Sequence, residues 1–302
     1  MRARALFLVG VLTLGVVGEL RSAGAAESLA DTAGPAVGAQ YDGAHVYLAP
    51  ADMDAFVKSF VATFGGEAVA PTATTVTPTP SGAMFAPVRT PAGSLSVLAF
   101  TTPIPWPFGA ERVGYLVRDF DAAVTAVVEA GADVVVTPFA DPIGRDAIVE
   151  WPGGAIMQLY WHLDPPSAPP LVTVPEQRVY VSYEKAQAFV TSFLRFSKGV
   201  IVSDEPAAEG VEIGGPGERF RRVRIASDFG RLAVFVTDGH LPFPFGRETF
   251  SYEVGDLVQT LAKATAAGGT VLVAPFKSAD REAAMVEFPG GYIAEIHAEL
   301  RP

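Results

Sequence analysis

Met53, Phe56, Val57, Phe60, Val61 and Phe64 recur at the spacing of a single helical face. The pattern predicts a helix capped by Asp52 or Asp54 and stopped at Gly65-Gly66. A short apolar strand, AHVYLA from Ala44, stands before it. After it, past a Thr/Pro-rich stretch, MFAPV and SLSVLAF read as strands around a turn at Pro91-Ala92-Gly93. The same order then returns. RVGYLV is a strand, and Asp119 caps a helix with Phe120, Val124, Val127 and Val128 inward and Gly131 at its end. DVVVTPF, DAIVEW and AIMQLYW are strands, the last two joined by a tight turn at Pro152-Gly153-Gly154. Two further rounds follow, with Ala186, Phe189, Val190, Phe193 and Leu194 on one helix and Leu257, Leu261 and Ala264 on the other.

The recurrence extends to the residues themselves. Gly109, Gly131, Pro138 and Pro152 match Gly246, Gly268, Pro275 and Pro289 at a constant offset of 137. Upstream, HVYLAPADMDAFVKSF from His45 matches RVYVSYEKAQAFVTSF from Arg178 at an offset of 133. A repeat of this quality decides the architecture. The expected fold class is α+β: tandem paired βαβββ units, four units in two similar halves.

Length and charge refine the picture. The 302 residues suit about two domains. Residues 1–26 read as a signal peptide, with Arg2 and Arg4 before an apolar run from Ala5 to Val17 and small residues at 23–26. Its removal takes away three arginines and Glu19, so the side-chain charge moves from −11 to −13. That balance argues against a nucleic-acid partner. The expected divisions are a flexible lead-in at 27–40, a first domain at 41–164, a proline-rich linker at 165–175 and a second domain at 176–302. Cysteine is absent, so neither disulfides nor thiolate sites exist. The expected location is periplasmic or extracellular, with no membrane association once the signal peptide is cleaved. The sequence assigns no oligomeric state.

RVGYLVRDFDAAVTAVVEAGADV followed by EWPGGAIMQLY resembles the vicinal oxygen chelate superfamily, which includes glyoxalase I, bleomycin-resistance proteins and extradiol dioxygenases. The resemblance covers nearly all of residues 41–302. It implies a cupped half-barrel in which one divalent metal is held by two histidines and a glutamate, leaving open positions for substrate oxygens.

Carried over residue by residue, the first half offers His45, Arg112 and Gln158 for that set, and the second half Arg178, Thr249 and Glu295. His45 and Glu295 match, and Gln158 is a neutral substitute for glutamate. Arginine keeps its proton and does not coordinate. No cofactor is therefore expected, although a divalent metal is what the resemblance implies. Arg178 and Glu295 are expected to pair with each other instead of sharing an ion. In the first half, His45, Arg112 and Gln158 are expected to face one cavity, with Arg112 receiving an anionic group of a small-molecule ligand. Trp106, Phe108 and Trp161 are expected to wall the apolar part.

The remaining motifs are plainer. GGPGERF at 214–220 is glycine-rich but opens no helix, so a phosphate loop is not expected. Arg219, Arg221, Arg222 and Arg224 are expected along an exposed hairpin. Glu295, His297 and Glu299 are expected on a solvated strand face near the chain end. The aromatic segments PIPWPFG and LPFPFG either pack across a barrel mouth or wall a pocket. Two functions stay open: an exported binder of a small organic molecule, or a metal-dependent enzyme with an unusual ligand set.

Overall fold

The computed structural model describes residues 34–41, 43–164 and 166–300, so the signal-peptide expectation lies outside the described residues. The first half contains β1 (Gly43–Leu48), α1 (Met53–Phe64), β2 (Glu67–Ala68), β3 (Thr72–Val76), β4 (Ser81–Thr90), β5 (Gly93–Phe100), β6 (Val113–Leu116), α2 (Phe120–Ala130), β7 (Asp133–Asp141), β8 (Gly144–Glu150) and β9 (Ile156–His162). The second contains β10 (Glu176–Val181), α3 (Tyr183–Ser197), β11 (Val200–Glu209), β12 (Arg219–Ser227), β13 (Gly230–Val236), β14 (Phe250–Glu253), α4 (Leu257–Ala266), β15 (Thr270–Lys277), β16 (Arg281–Phe288) and β17 (Tyr292–Glu299).

Each half curls into one mixed sheet. The orders are β2-β4-β5-β1-β6-β9-β8-β7, with β3 also on β4, and β11-β12-β13-β10-β14-β17-β16-β15. The registers repeat as well. His45 sits opposite Ser96 in parallel pairing, as Arg178 sits opposite Ala233. Gly114 sits opposite Gln158, as Ser251 sits opposite Glu295. Each half is thus two βαβββ units, joined where the first strands of the units meet antiparallel.

The helices of the two halves pack on one another, α1 on α4 and α2 on α3. One apolar core therefore runs through both halves. Phe56 and Phe60 of α1 reach Phe288 and Tyr292 of the second half, with Phe60 edge-on to Tyr252 at 5.4 Å. Aromatic pairs in this geometry add to the burial of their area.

The helix ends follow the sequence unevenly. Asp119 accepts from Ala122 N at 3.0 Å, and Gly131 adopts the left-handed conformation at φ 96°. Asp52 stands at the start of α1 but makes no side-chain cap, because its own backbone is already helical. Val128, expected inward, faces solvent, while Ala123 and Ala130 are buried with Val127. Residues 35–41, expected within or beside a flexible lead-in, are docked. Val37 N donates to Leu116 O at 3.0 Å, and Ala36 is fully buried.

Candidate functional site

The concave face of the first sheet encloses a cavity of about 1230 Å³, open to solvent. Side chains alternate across a strand, so β1 contributes His45 and Tyr47, β5 contributes Ser96 and Leu98, and β9 contributes Gln158, Tyr160 and His162. Asp146 of β8, opposite Tyr160, completes one wall. The proline-rich segment after β9 runs along the mouth, with Pro166, Pro169, Pro170 and Leu171 against the cavity. It is tied down where Val172 N donates to Pro91 O at 2.8 Å.

Glu111 lies at the floor, fully buried, just before β6. Its Oε1 is 3.3 Å from His45 Nδ1 and accepts a hydrogen bond from the Tyr47 hydroxyl. Its Oε2 accepts from Gly109 N at 3.2 Å. These donors satisfy a carboxylate that would otherwise be costly to bury. Burial, and then the charge of Glu111, hold the Tyr47 hydroxyl well above the usual phenol range. On the opposite wall, burial and then nearby Asp141 raise the Asp146 carboxyl to about 7, against a hydrogen bond from Gln158. Burial lowers the pKa of His162, opposed by Asp141.

Gly114 explains the placement of His45. A Cβ added there would lie 2.7 Å from His45 Nε2 and 3.0 Å from the Tyr160 ring. The imidazole therefore rests over a strand position that has no side chain.

Of the residues expected at the site, His45, Gln158 and Phe108 line the cavity. Arg112, Trp106 and Trp161 do not. The chain is irregular between the Phe108–Glu111 bridge and β6, so strict alternation does not reach Arg112. Glu111 turns inward, and Arg112 turns towards the second half, where Nη1 lies 3.4 Å from Arg247 O. Trp161 is an odd-numbered neighbour of Gln158 and Tyr160, so it faces the helices and the core. Trp106 is 71% exposed. Glu111, Tyr47, Gly114, Tyr160, Asp146 and His162 were not expected at the site. The repeat was the available signal for two of them, since Glu111 matches Glu248 and Tyr47 matches Tyr180.

The second half fills the equivalent space with ion pairs. Arg178, the counterpart of His45, sits with Nη1 2.9 Å from Glu295 Oε1 and Nε 3.2 Å from Glu248 Oε1, its guanidinium 4.3 Å above the Phe235 ring. Tyr180 donates to Glu248. Arg281 holds Glu176 through two nitrogens, at 2.9 and 3.1 Å, and approaches Glu295 at 3.4 Å. Burial opposes ionisation of Glu295, yet Arg178 and Arg281 hold its pKa below the usual carboxylate range. Ser251 Oγ donates to Glu295 at 2.7 Å and lies 2.5 Å from His297 Nδ1.

Two expectations for this half are corrected. Glu295 and His297 are buried, not solvated, because β17 is an inner strand, and only Glu299 is exposed. The arginines of β12, expected along an exposed hairpin, divide: Arg219 is exposed, while Arg222 is buried and Arg224 largely so. Arg221 pairs with Asp204 at 2.7 Å, and buried Arg222 is held by Glu212 and Glu205.

Neither donor set fits a two-histidine, one-carboxylate metal centre. In the first half the position beside Gln158 is glycine, and His45 already engages Glu111. In the second half a guanidinium occupies the centre. Among the described residues no group of three or more histidines, aspartates or glutamates is arranged to hold an ion.

No family model and no curated protein matches the sequence. Solved structures do match in fold. A mutant of 4-hydroxymandelate synthase from Streptomyces coelicolor aligns over 88% of this chain and 93% of that one, with 14% identity and a TM-score of 0.61. The Mn(II)-bound glyoxalase from Novosphingobium aromaticivorans aligns over 89% and 84%, with 16% identity and a TM-score of 0.56. The 2,2',3-trihydroxybiphenyl 1,2-dioxygenase from Sphingomonas wittichii strain RW1 aligns over 88% and 91%, with 15% identity and a TM-score of 0.53.

Proposed function

We propose that this chain, which has the vicinal oxygen chelate fold, is an exported protein that holds one small organic molecule in the cup of its first half. The second half is its structural partner in this reading. One observation carries it. Two sheets of the same register differ in their cups: the second is filled by Arg178 and its carboxylates, and the first holds a cavity of about 1230 Å³. Ligand pockets of this kind are concave and largely apolar, with a few convergent polar groups.

The polar groups indicate the kind of molecule. Arg112 was the reason to expect an anion, and it does not reach the cavity. Among the described residues, Glu67, Glu111, Asp141, Asp146 and Asp164 line the cavity, against Arg89 and two histidines. An anionic ligand would meet an excess of carboxylates. A neutral or cationic molecule with an apolar body suits the wall of Leu98, Phe85 and Phe108. Export follows from the reading of residues 1–26.

The test is native mass spectrometry of the purified chain for a co-purified molecule. Calorimetric titration with matched neutral, cationic and anionic aromatic compounds accompanies it. Binding of neutral or cationic members, weakened by Leu98→Trp, which fills the cup, and untouched by Arg112→Met, is the expected result. Preferential binding of anions, lost in Arg112→Met, would overturn the assignment.

A further inference from the structure

We propose that His45, oriented by Glu111, is a metal-free general base that activates water to hydrolyse an ester held in the first-half cavity. The proposal uses the cavity of the binding reading and goes beyond it to turnover.

Three features of the chain point there. First, the imidazole has a buried carboxylate on one nitrogen only. With Nδ1 towards Glu111 Oε1 at 3.3 Å, the tautomer favoured by the carboxylate leaves the lone pair on Nε2. Among the described residues Nε2 has no hydrogen-bond partner, and His45 lines the cavity. Second, Glu111 is itself fixed by Tyr47 and Gly109 N, so the orienting group does not wander. A base held by a third group is the arrangement that activates nucleophiles in hydrolytic sites. Third, the absence of a side chain at Gly114 is what admits the ring, and Gln158 stands beside Gly114 in register. Its amide is a neutral donor on the same floor. The second half lacks this device, because Arg178 replaces the base.

Water, not carbon, suits the site as the proton source. The cavity is open to solvent, so water reaches the ring, whereas a carbon acid needs an enclosed site with a strong electrophile. The lining cation Arg89 stands on β4, two strands from β1. In the step, Nε2 accepts a proton from water as the water oxygen bonds to the acyl carbon. The carbonyl electron pair moves onto its oxygen, which accepts a hydrogen bond from the Gln158 amide. The pair returns, the bond to the leaving alcohol oxygen breaks, and the imidazolium donates its proton to that oxygen. Ester and water become carboxylic acid and alcohol, and nothing is oxidised or reduced.

The experiment uses the full chain dialysed against a chelator, with p-nitrophenyl acetate, butyrate and octanoate as probes. General-base help of this kind contributes roughly 100-fold or more. At least one ester should be hydrolysed with kcat/KM about 100-fold above the rate constant of free imidazole. His45→Gln should lose that margin. Glu111→Gln should lower kcat about 10-fold or more with KM little changed, the split expected of a positioning residue. His240→Gln, at an exposed histidine outside the cavity, should match wild type. Should His45→Gln fail to fold, diethyl pyrocarbonate supplies the same test on the native chain. Activity should fall in step with modification of His45 and return with hydroxylamine. Rates no higher than imidazole, activity that survives loss or modification of His45, or activity removed by the chelator would each overturn the proposal. A molecule captured without turnover leaves the binding reading standing.

Discussion

Glu111 and Glu248 occupy the same place in the two halves, each buried and each accepting a hydrogen bond from a first-strand tyrosine, Tyr47 or Tyr180. What differs is the residue two before the tyrosine. In the first half it is His45, and the space beyond is empty enough for a ligand. In the second it is Arg178, whose guanidinium bridges Glu248 and Glu295 and closes the cup. That exchange, together with Gly144 and Gln158 giving way to Arg281 and Glu295, separates a cavity from a core in a shared scaffold.

The closed cup should depend on charge balance. Arg178 and Glu295 are almost wholly buried. Replacing such a pair with apolar residues is often neutral, but removing one partner strands the other and costs about 3–5 kcal/mol. Arg178→Ala and Glu295→Ala should each lose that much in urea denaturation, and Arg178→Met with Glu295→Leu and Glu248→Gln, which leaves no stranded carboxylate, should recover much of it. Single variants that unfold at the wild-type midpoint would show the pair to be dispensable.

Two buried groups should pull stability in opposite directions with pH. Burial, helped by the charge of Arg281, lowers His297 from 6.5 to about 4. The unfolded chain therefore takes up that proton first, and stability falls as pH drops from 6.5 towards 4. Asp146 is raised from 3.8 to about 7, chiefly by burial. The folded chain binds that proton first, and the stability this confers is lost as pH rises towards 7. The effects span at most about 3 kcal/mol for His297 and about 4 kcal/mol for Asp146. Between pH 5 and 6.5 they oppose, so His297→Gln should make stability fall more with rising pH than in wild type, and Asp146→Asn should do the reverse. Chemical denaturation at half-unit steps of pH reads both slopes.

The architecture was legible because duplication repeats glycines and prolines at one offset, and those positions carry backbone geometry. The site was only partly legible. His45 and Gln158, positions that the resemblance supplied, face the cavity from strands, and Phe108 of the aromatic segment before β6 lines it too. Arg112 failed because alternation was extended through a stretch that is not strand, where Glu111 takes the inward place. Trp161 failed against alternation itself, since Gln158 and Trp161 differ by an odd number. The repeat held a better clue: glutamate at 111 and 248 and tyrosine at 47 and 180 are kept while the residues expected to bind metal change. The burial of Glu295 and His297 had no local sign, because it depends on Arg178 and Arg281 arriving from other strands.

Gly114 should prove intolerant for a reason confined to side chains. Its backbone is ordinary, but a methyl group there would press on His45 and Tyr160. Gly114→Ala should tilt the imidazole away from Glu111 and cost about 1–3 kcal/mol of overpacking. The histidine ring shifts in NMR spectra report the first effect and thermal melting the second. The equivalent Ser251 carries a side chain without conflict, so Ser251→Ala should leave His45 resonances in place.

The two halves should unfold together despite their separate sheets. Phe60 lies on a first-half helix, yet its ring meets Tyr252, Phe288 and Tyr292 of the second half and is fully buried. Tyr115 of β6 donates to Gln177 of β10, and Ser192 of α3 donates to Ala130 O at 2.6 Å. With a common core, neither half buries its helix faces alone, and the cooperative unit is the pair. Calorimetry should show one transition whose van't Hoff and calorimetric enthalpies agree. Phe60→Ala should lower its midpoint, at a cost of about 3–5 kcal/mol for an emptied aromatic site. It should not split the transition, because the cavity lies in the shared core and weakens both halves at once. Two resolved transitions in wild type would mean that each sheet keeps its helices stable without the other.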